Sequence, residues 1–411
     1  MEISRREVNT WLAGGMSSLM GPAAPSCEAM QVSAPRDTGS HIGSLYPFVQ
    51  GLADRSPLEL SFLRPEFSRF PEWKKRARAR VLEHLFYTPP SVPPEPNVIR
   101  RRDMGEYFEE YLTFQTAPGC RVPAFVLLPK GVRSPAPGMI ALHDHGGFYL
   151  WGKEKLIASD GEHPALTEFR NRYYAGKSTA VELVRQGYVV IVIDMLYWGE
   201  RRLVLDGDPS TWKERSPALS ADDVKVINRR GGENEQLVAR SLMTAGVTWP
   251  GILLWDDLRT LDYLCSRPEV DPRRVGCVGL SVGGYRSLML AALDERIRAA
   301  VDVGWMTSFA SQLKSHVRHT IGFSFHLTGL YRYMDLPDVA HLVAPRALML
   351  INGSQDTLFA PEGVQSAFEK IKRGFEKAQA GNKQKCLLYD APHEFNLEMQ
   401  REAWSWLKQW V

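Results

Sequence analysis

The chain has 411 residues, and its 50 basic and 47 acidic side chains leave a formal net charge of +3. Apolar residues make up 44% and charged residues 24% of the chain, which is typical of globular proteins and excludes collagen, coiled coil and wholesale disorder. A net charge this small gives no support to electrostatic binding of nucleic acid. The length is compatible with about two to three domains or with one enlarged α/β domain carrying insertions.

The N-terminal segment differs from the rest of the chain. Arg5 and Arg6 precede an uncharged stretch from Val8 to Cys27 that is rich in small residues, which resembles a twin-arginine export signal. We therefore expect residues 1–40 to be an export signal and linker and the protein to be periplasmic. The alternative is a disordered tail on a cytoplasmic protein. The sequence contains no apolar run long enough to span a membrane.

Residues 41–96 are predicted to form a helical extension. Pro71 suits the first turn of a helix, and apolar residues recur at every fourth position from Trp73 to Leu85. The basic residues between them are predicted to form a solvated helix face. A proline-rich connector follows, and then three segments whose alternating pattern predicts antiparallel strands. These segments are Asn97–Arg102, Glu106–Gln115 and Arg121–Pro129.

After Pro137, short apolar runs alternate with helical patterns, which predicts an α/β fold with a mostly parallel sheet covered on both faces. The predicted strands are Gly138–Leu142, Tyr188–Ile193, Val275–Leu280, Ala299–Val303, Ala347–Ile351 and Cys386–Tyr389. The predicted helices are Gly176–Gln186, Gly251–Ser266, Gly284–Ala292, Pro361–Ala378 and Leu397–Val411. Two insertions, about 200–247 and 306–343, interrupt the alternation, as lids and binding loops commonly do.

A G-x-S-x-G motif centred on Ser281 lies between a predicted strand and a predicted helix. On such a sharp turn the serine hydroxyl is exposed, and the N-terminus of the helix points at the reacting carbonyl. We predict that Ser281 is a nucleophile. The alternative is a glycine-rich turn that only connects the strand to the helix.

A serine nucleophile requires a base and an acid that orients the base. Asp356 and His393 each follow one of the last two predicted strands, at the edge where open α/β sheets place their sites. We predict that His393 takes the proton of Ser281 and that Asp356 orients His393. Asp390 and Glu394 are rival acids, but they adjoin His393 in sequence and would not readily reach its far nitrogen.

Acyl transfer also requires hydrogen-bond donors for the oxyanion. One predicted donor is the backbone N–H of Val282, which follows the nucleophile. The other is assigned to the N–H of His145, with Gly146 as the alternative, because their glycine-rich loop follows the predicted strand Gly138–Leu142.

Three further residues lie near predicted strand ends and are expected to line a substrate pocket, namely His143, Trp198 and Trp305. Core packing is the alternative for Trp305. For the segment after Trp198, the alternative to a pocket wall is a structural ion pair between Glu200 and Arg201.

No metal site or cofactor is predicted. His143, Asp144 and His145 are clustered, but the other histidines lie in separate segments and the spacing matches no metal-binding motif. The second insertion carries four histidines, of which at most one is expected to touch substrate. They are His316, His319, His326 and His341.

Taken together, these motifs resemble those of the α/β-hydrolase superfamily. They are His143-Asp-His-Gly-Gly, Gly199-Glu-Arg, Trp255-Asp-Asp, Ser266-Arg-Pro-Glu-Val-Asp-Pro, Gly279-Leu-Ser-Val-Gly-Gly, Asp356 and Pro392-His-Glu. Over about residues 95–411 the chain is similar to bacterial dienelactone-hydrolase-like and acetyl-xylan-esterase-like enzymes. It departs from the former by a serine in place of cysteine, and from the latter by lacking an Arg-Gly-Gln element near the oxyanion loop. The resemblance implies an α/β-hydrolase catalytic domain at 97–411.

We therefore predict a serine hydrolase that cleaves carboxylic esters, with acetyl esters of carbohydrates as one substrate class. The expected partner is a small-molecule or glycan ester, with no nucleic acid and no membrane span, and a homo-oligomer is compatible with the sequence. A peptidase or amidase of the prolyl-oligopeptidase type is one alternative, although about 95 residues before the sheet are too few for a β-propeller. A non-catalytic binding protein on a hydrolase scaffold is the other.

Overall fold

One mixed sheet organises the computed structural model, which describes residues 37–158 and 161–411. Its nine described strands are β1 (Asn97–Asp103), β2 (Tyr107–Ala117), β3 (Cys120–Pro129), β4 (Ala136–Leu142), β5 (Val189–Ile193), β6 (Val270–Leu280), β7 (Ile297–Val303), β8 (Ala347–Gly353) and β9 (Gln384–Tyr389). The strand order is β1-β2-β3-β5-β4-β6-β7-β8-β9. The first three strands pair antiparallel, β3 joins β5 antiparallel, and all pairings from β5 to β9 are parallel.

Helices cover both faces of the sheet. The longer ones are α1 (Tyr46–Asp54), α2 (Phe70–Glu83), α3 (Pro164–Tyr174), α4 (Thr179–Arg185), α5 (Ala221–Thr244), α6 (Trp249–Ser266), α7 (Val282–Leu293), α8 (Leu336–His341), α9 (Pro361–Lys377) and α10 (Leu397–Trp410). Four-residue helical turns lie at Ser210–Lys213, Phe309–Gln312 and Val317–Thr320. One face packs against α2 and α6 to α9, and the other packs against α3, α4 and α10.

The predicted α/β class, with a mostly parallel sheet flanked by helices, is confirmed. Three helices differ from the sequence expectation. The pattern did not predict α3, and the two insertions contain the 24-residue helix α5 and the six-residue helix α8. Gly231 interrupts the apolar periodicity of α5, and packing explains its presence. A Cβ atom there would lie 2.5 Å from the Tyr149 ring, so only glycine permits this contact.

Of the predicted export signal and linker, residues 1–40, the first 36 lie outside the described residues. Among the residues described, no single helix has both the length and the hydropathy of a membrane span. α5 and α6 meet that criterion only as a pair, with an 81° bend between them.

A buried ion pair joins α7, the helix that follows Ser281, to α6. Arg286 Nε and Nη2 donate to the two carboxylate oxygens of Asp257 at 2.9 and 2.5 Å. Both side chains are excluded from solvent. Burial raises the pKa of Asp257, and the Arg286 guanidinium opposes that shift. The bidentate contact therefore fixes α7 against its neighbour in a region where an unpaired charge would be costly.

Asp257→Ala is expected to lower the free energy of unfolding by about 3–5 kcal/mol, because it leaves the Arg286 charge buried without a partner. Urea denaturation followed by circular dichroism measures this change. Asp262→Ala on the same helix is the control, since its partners Arg259 and Arg296 are partly exposed. That variant should lose about 1 kcal/mol or less. Equal losses in the two variants would contradict the prediction.

His341 closes the second insertion at the end of α8 and is fully buried. Its Nε2 donates to the carbonyl of Lys370 at 3.0 Å. Burial lowers the pKa of His341 to about 4, and the Asp338 carboxylate opposes this shift. The imidazole is therefore neutral at pH 7 and belongs to the core, where it anchors the insertion to α9.

This burial predicts a loss of stability in acid. The unfolded chain binds a proton at His341 near the ordinary pKa of 6.5, whereas the folded chain binds it only near 4. His341 therefore adds nothing to the pH dependence above 6.5, and stability falls by about 3 kcal/mol as the pH drops from 6.5 to 4. Unfolding free energies between pH 4 and 8 should fall less steeply for His341→Gln than for the wild type. Parallel curves would show that His341 does not titrate in this way.

Candidate active site

Ser281 occupies a strained turn between β6 and α7. Its backbone has φ 59° and ψ −126°, a conformation uncommon for a residue other than glycine. The Ser281 N–H donates to the carbonyl of Val303 at 2.7 Å, which ties the turn to the end of β7. The side chain is not fully buried and lines a cavity. The turn therefore presents a hydroxyl group at the carboxyl edge of the sheet.

Two glycines allow this turn to pack against the end of β4. A Cβ atom at Gly283 would lie 2.0 Å from the carbonyl oxygen of Leu142. One at Gly279 would lie 2.4 Å from the carbonyl carbon of Gly283. Neither clash could be relieved by moving a side chain, because the contacted atoms belong to the backbone. The two motif glycines are therefore required by close backbone approach.

His393 and Asp356 meet beyond the carboxyl ends of β9 and β8. The His393 Nδ1 and Asp356 Oδ2 atoms are 2.6 Å apart, and the Asp356 side chain is almost completely buried. Asp356 Oδ1 accepts from the N–H of Leu358 at 2.9 Å. Because the carboxylate holds the proton on Nδ1, Nε2 of His393 remains free to act as a base.

The two rival acids interact elsewhere. Asp390 Oδ1 accepts hydrogen bonds from Ser354 and Gln355 at 3.2 and 2.9 Å. Glu394 Oε1 accepts from the side-chain amide of Asn396 at 3.0 Å. Of the acids considered from the sequence, Asp356 is the one in contact with the His393 ring.

Ser281 and His393 line the same cavity, which has a volume of about 400 Å³. Trp305, Phe325 and Leu358 give it an apolar wall. The loop after β4 and the first residue of α7 contribute His145, Gly146, Gly147 and Val282. Its polar or charged lining also includes Tyr173, Glu235, Arg318, His319 and Thr320. Of the four histidines in the second insertion, His319 is the one in this lining.

A fully buried lysine braces the loop after β4. Lys155 Nζ donates to the carbonyl of Asp144 at 3.0 Å, to the Asp144 carboxylate at 3.1 Å and to the carbonyl of His145 at 3.1 Å. Trp198 Nε1 donates to the same His145 carbonyl at 3.1 Å. Burial lowers the pKa of Lys155, and the charge of Asp144 opposes the shift.

These contacts determine which way the loop amides face. In a trans peptide the N–H and the preceding C=O point in opposite directions. Since the carbonyls of Asp144 and His145 are held by Lys155, the N–H groups of His145 and Gly146 lie on the other side of the loop. Within the described part of the chain, these two N–H groups and that of Val282 donate to no other group. They are therefore available to an oxyanion in the cavity.

His143 and Trp198 are fully buried and lie outside the cavity lining, which corrects the expectation that they line a pocket. His143 Nδ1 donates to the carbonyl of Asp144 at 2.9 Å, and its Nε2 accepts from the N–H of Met195 at 3.2 Å. Burial holds the pKa of His143 well below its usual range, so the ring is neutral. Both residues donate hydrogen bonds to carbonyls of the loop after β4 and so support that loop. Trp305 does line the cavity.

Three carboxylates converge outside this cavity, from Glu154, Asp194 and Glu200. Lys153 Nζ lies among them, 3.1, 2.7 and 2.5 Å from their respective oxygens. Arg215 also pairs with Glu154 and Glu200, at 2.8 and 3.2 Å, so two cations face the three carboxylates. Arg201 pairs with Asp256 of α6 at 2.7 Å, so the alternative of an ion pair between Glu200 and Arg201 is wrong.

Sequence reasoning missed two residues that bear on the site. Lys155 lies in a charged Lys-Glu-Lys segment with no motif, and its role depends on burial that the sequence does not reveal. Glu235 lies on α5, inside the insertion treated as a loop. A helical reading of residues 221–244 would have placed Glu235 on a definite helix face.

A comparison with known proteins identifies the family. Residues 27–407 match the family model described as the Abhydrolase family. The chain is similar to YtaP of Bacillus subtilis (strain 168), a provisionally assigned hydrolase, with 26% identity over 334 residues that cover 81% of this chain and 98% of YtaP.

Solved structures share the fold. A provisionally assigned acetyl xylan esterase from Bacteroides fragilis superposes with a TM-score of 0.65 at 18% identity, covering 84% of this chain and 81% of that one. A glucuronoyl esterase from Solibacter usitatus gives 0.55 at 14% identity, covering 83% and 94%. These matches agree with the observed fold. The chain is therefore a hydrolase with the α/β-hydrolase fold and belongs to the Abhydrolase family.

Proposed function

We propose that this protein is a serine hydrolase that cleaves carboxylic esters through an acyl-enzyme. The observation that carries the proposal is the 2.6 Å contact between His393 and Asp356, beside a cavity that Ser281 and His393 both line. A hydroxyl group on a strained turn, an oriented imidazole and unpaired amide donors are the parts that acyl transfer requires.

The reaction proceeds in two halves. Ser281 Oγ attacks the acyl carbon while His393 Nε2 takes its proton, and the carbonyl oxygen becomes an oxyanion. The N–H groups of Val282 and of the loop, from His145 or Gly146, bind that oxyanion. His393 returns the proton to the leaving alcohol, which leaves an acyl-enzyme. A water molecule then gives a proton to His393 and attacks the acyl carbon, and His393 passes that proton to Ser281 Oγ as the bond to the acyl carbon breaks, which releases the acid and restores both residues.

The proposed substrate class is esters of carbohydrates, including acetyl esters. The cavity supports this class because charged and hydroxyl-bearing side chains face an apolar wall in a small space. Two structural neighbours with the same fold carry the names of carbohydrate esterases. For the peptidase and the non-catalytic alternatives, no contact in the described cavity favours either over ester hydrolysis.

Ser281→Ala is expected to reduce kcat/KM for p-nitrophenyl acetate by at least about 10³-fold, since it removes the nucleophile. Ser366→Ala on the outer helix α9 is the matched control and should stay within about threefold of the wild type. Equal rates for the wild type and Ser281→Ala would refute the proposed function. A fluorophosphonate probe should label the wild type and the control but not Ser281→Ala.

Lys155→Met is expected to lower kcat by about 10²-fold with little change in KM, because the loop amides lose the contacts that orient them. The Lys155→Met/Asp144→Asn variant removes the unpaired carboxylate as well, which protects folding. Trp198→Phe removes one of the two donors to the His145 carbonyl and leaves that of Lys155, so it should cause a smaller fall in kcat. Steady-state kinetics on folded variants would contradict this role if kcat were unchanged in all three.

A further inference from the structure

The first insertion contributes a carboxylate to the wall of the catalytic cavity. Glu235 lies on α5, and its side chain is 21% exposed. It lines the same cavity as Ser281 and His393. The proposed ester hydrolysis assigns no step to this group. A partly desolvated carboxylate in a catalytic cavity therefore needs another explanation.

The hydrogen bonds of His145 determine whether Glu235 accepts from a neutral or a charged donor. The N–H of Gly147 donates to His145 Nδ1 at 3.0 Å, so Nδ1 is an acceptor and the ring proton lies on Nε2. His145 Nε2 then donates to Glu235 Oε1 at 2.7 Å. With Nδ1 unprotonated the imidazole is neutral. Glu235 therefore gains a hydrogen bond from His145 and no compensating positive charge.

Tyr149 donates to the same oxygen. Its hydroxyl lies 2.9 Å from Glu235 Oε1. Burial and the charge of Glu235 raise the pKa of Tyr149 far above its usual range, so the phenol keeps its proton and acts as a donor. Oε1 thus has two neutral donors. Within the described residues, Oε2 of Glu235 has none.

An unpaired oxygen of a partly buried carboxylate requires a donor, and water or substrate must supply it. The opposite charge appears elsewhere on the cavity wall. Arg318 lines the cavity and is exposed, and it has no carboxylate partner among the described residues. The cavity thus offers a charged acceptor and a charged donor, with the Trp305 and Phe325 rings contributing apolar surface. A molecule bearing several hydroxyl groups on a carbon ring matches that combination.

We infer that Oε2 of Glu235 accepts a hydrogen bond from a free hydroxyl group of the substrate, which makes Glu235 a specificity-determining residue for esters of polyhydroxylated molecules. The inference rests on the proposed function, because the hydroxyl group must belong to the molecule whose ester bond Ser281 attacks. A site built to bind a hydroxyl group rejects the analogue that lacks it far more strongly than an apolar pocket rejects an extra group.

Glu235→Gln is the informative variant. Its side-chain oxygen still accepts from His145 and Tyr149, whereas its amide replaces the acceptor Oε2 by a donor. We expect kcat/KM to fall by at least about 10-fold for a monoacetylated methyl xyloside with free hydroxyl groups. For p-nitrophenyl acetate, which has no hydroxyl group, the fall should be at least about threefold smaller, so that the ratio of the two kcat/KM values changes. Glu233→Gln, an exposed position on the same helix, is the control and should change neither rate.

A second comparison alters the substrate instead of the protein. Methylating the free hydroxyl groups of the xyloside should lower kcat/KM for the wild type by a similar factor. It should lower kcat/KM much less for Glu235→Gln, since the two changes remove the same contact. This comparison tests the wild type directly, so it remains decisive if the variant folds poorly.

Two results would overturn the inference. Equal losses on the xyloside ester and on p-nitrophenyl acetate would mean that Glu235 acts only by positioning the oxyanion loop through His145. Wild-type rates that do not respond to methylation of the xyloside would mean that no hydroxyl group is bound. Failure of the proposed function itself would look different, because Ser281→Ala would then match the wild type on every ester.

Discussion

The site depends on the close approach of two backbones, the first turn of α7 and the end of β4. Gly283 lies so near the carbonyl of Leu142 that no side chain fits between them. This approach brings the Val282 N–H beside the loop that carries His145 and Gly146. The amide donors proposed for the oxyanion therefore come from two segments far apart in sequence. The strained conformation of Ser281 follows from the same approach, because the chain must turn sharply to enter α7.

A layer of buried polar and charged groups lies beneath the loop after β4. Lys155 and Asp144 are both buried, and the Asp144 carboxylate also accepts from the Tyr174 hydroxyl. Burying such groups is costly unless every one is bonded, and the loop carbonyls supply acceptors that the lysine would otherwise lack. The desolvation cost is thus offset by contacts that also orient the loop amides. This arrangement explains why the neutral His143 and the indole of Trp198 lie beneath the loop and not in the cavity.

Much of this architecture could be predicted from the sequence, and the exceptions have physical reasons. The parallel strands were predictable because strands covered on both faces are continuously apolar. The turn at Ser281 was predictable because the close approach of two backbones requires glycine. The roles of Asp356 and His393 remain predictions, and their 2.6 Å contact supports them. Helix α5 was missed because Gly231 interrupts its apolar periodicity. Glycine is required there by the close contact with the Tyr149 ring. Lys155 and Glu235 were missed because their roles depend on burial and on partners remote in sequence.

The sheet order has a consequence for how the protein becomes active. β4 pairs with β5 and β6, and Ser281, Asp356 and His393 follow β6, β8 and β9, which belong with β7 to one run of parallel strands joined by crossovers. Parallel pairings of this kind close long loops, and the entropy lost in closing a loop precedes the energy gained from the strand contacts. They therefore form late and slowly. Ser281, Asp356 and His393 can meet only when β6 to β9 have all assembled. Recovered turnover during refolding would therefore report completion of the sheet, later than a signal from the local β1-β2-β3 meander.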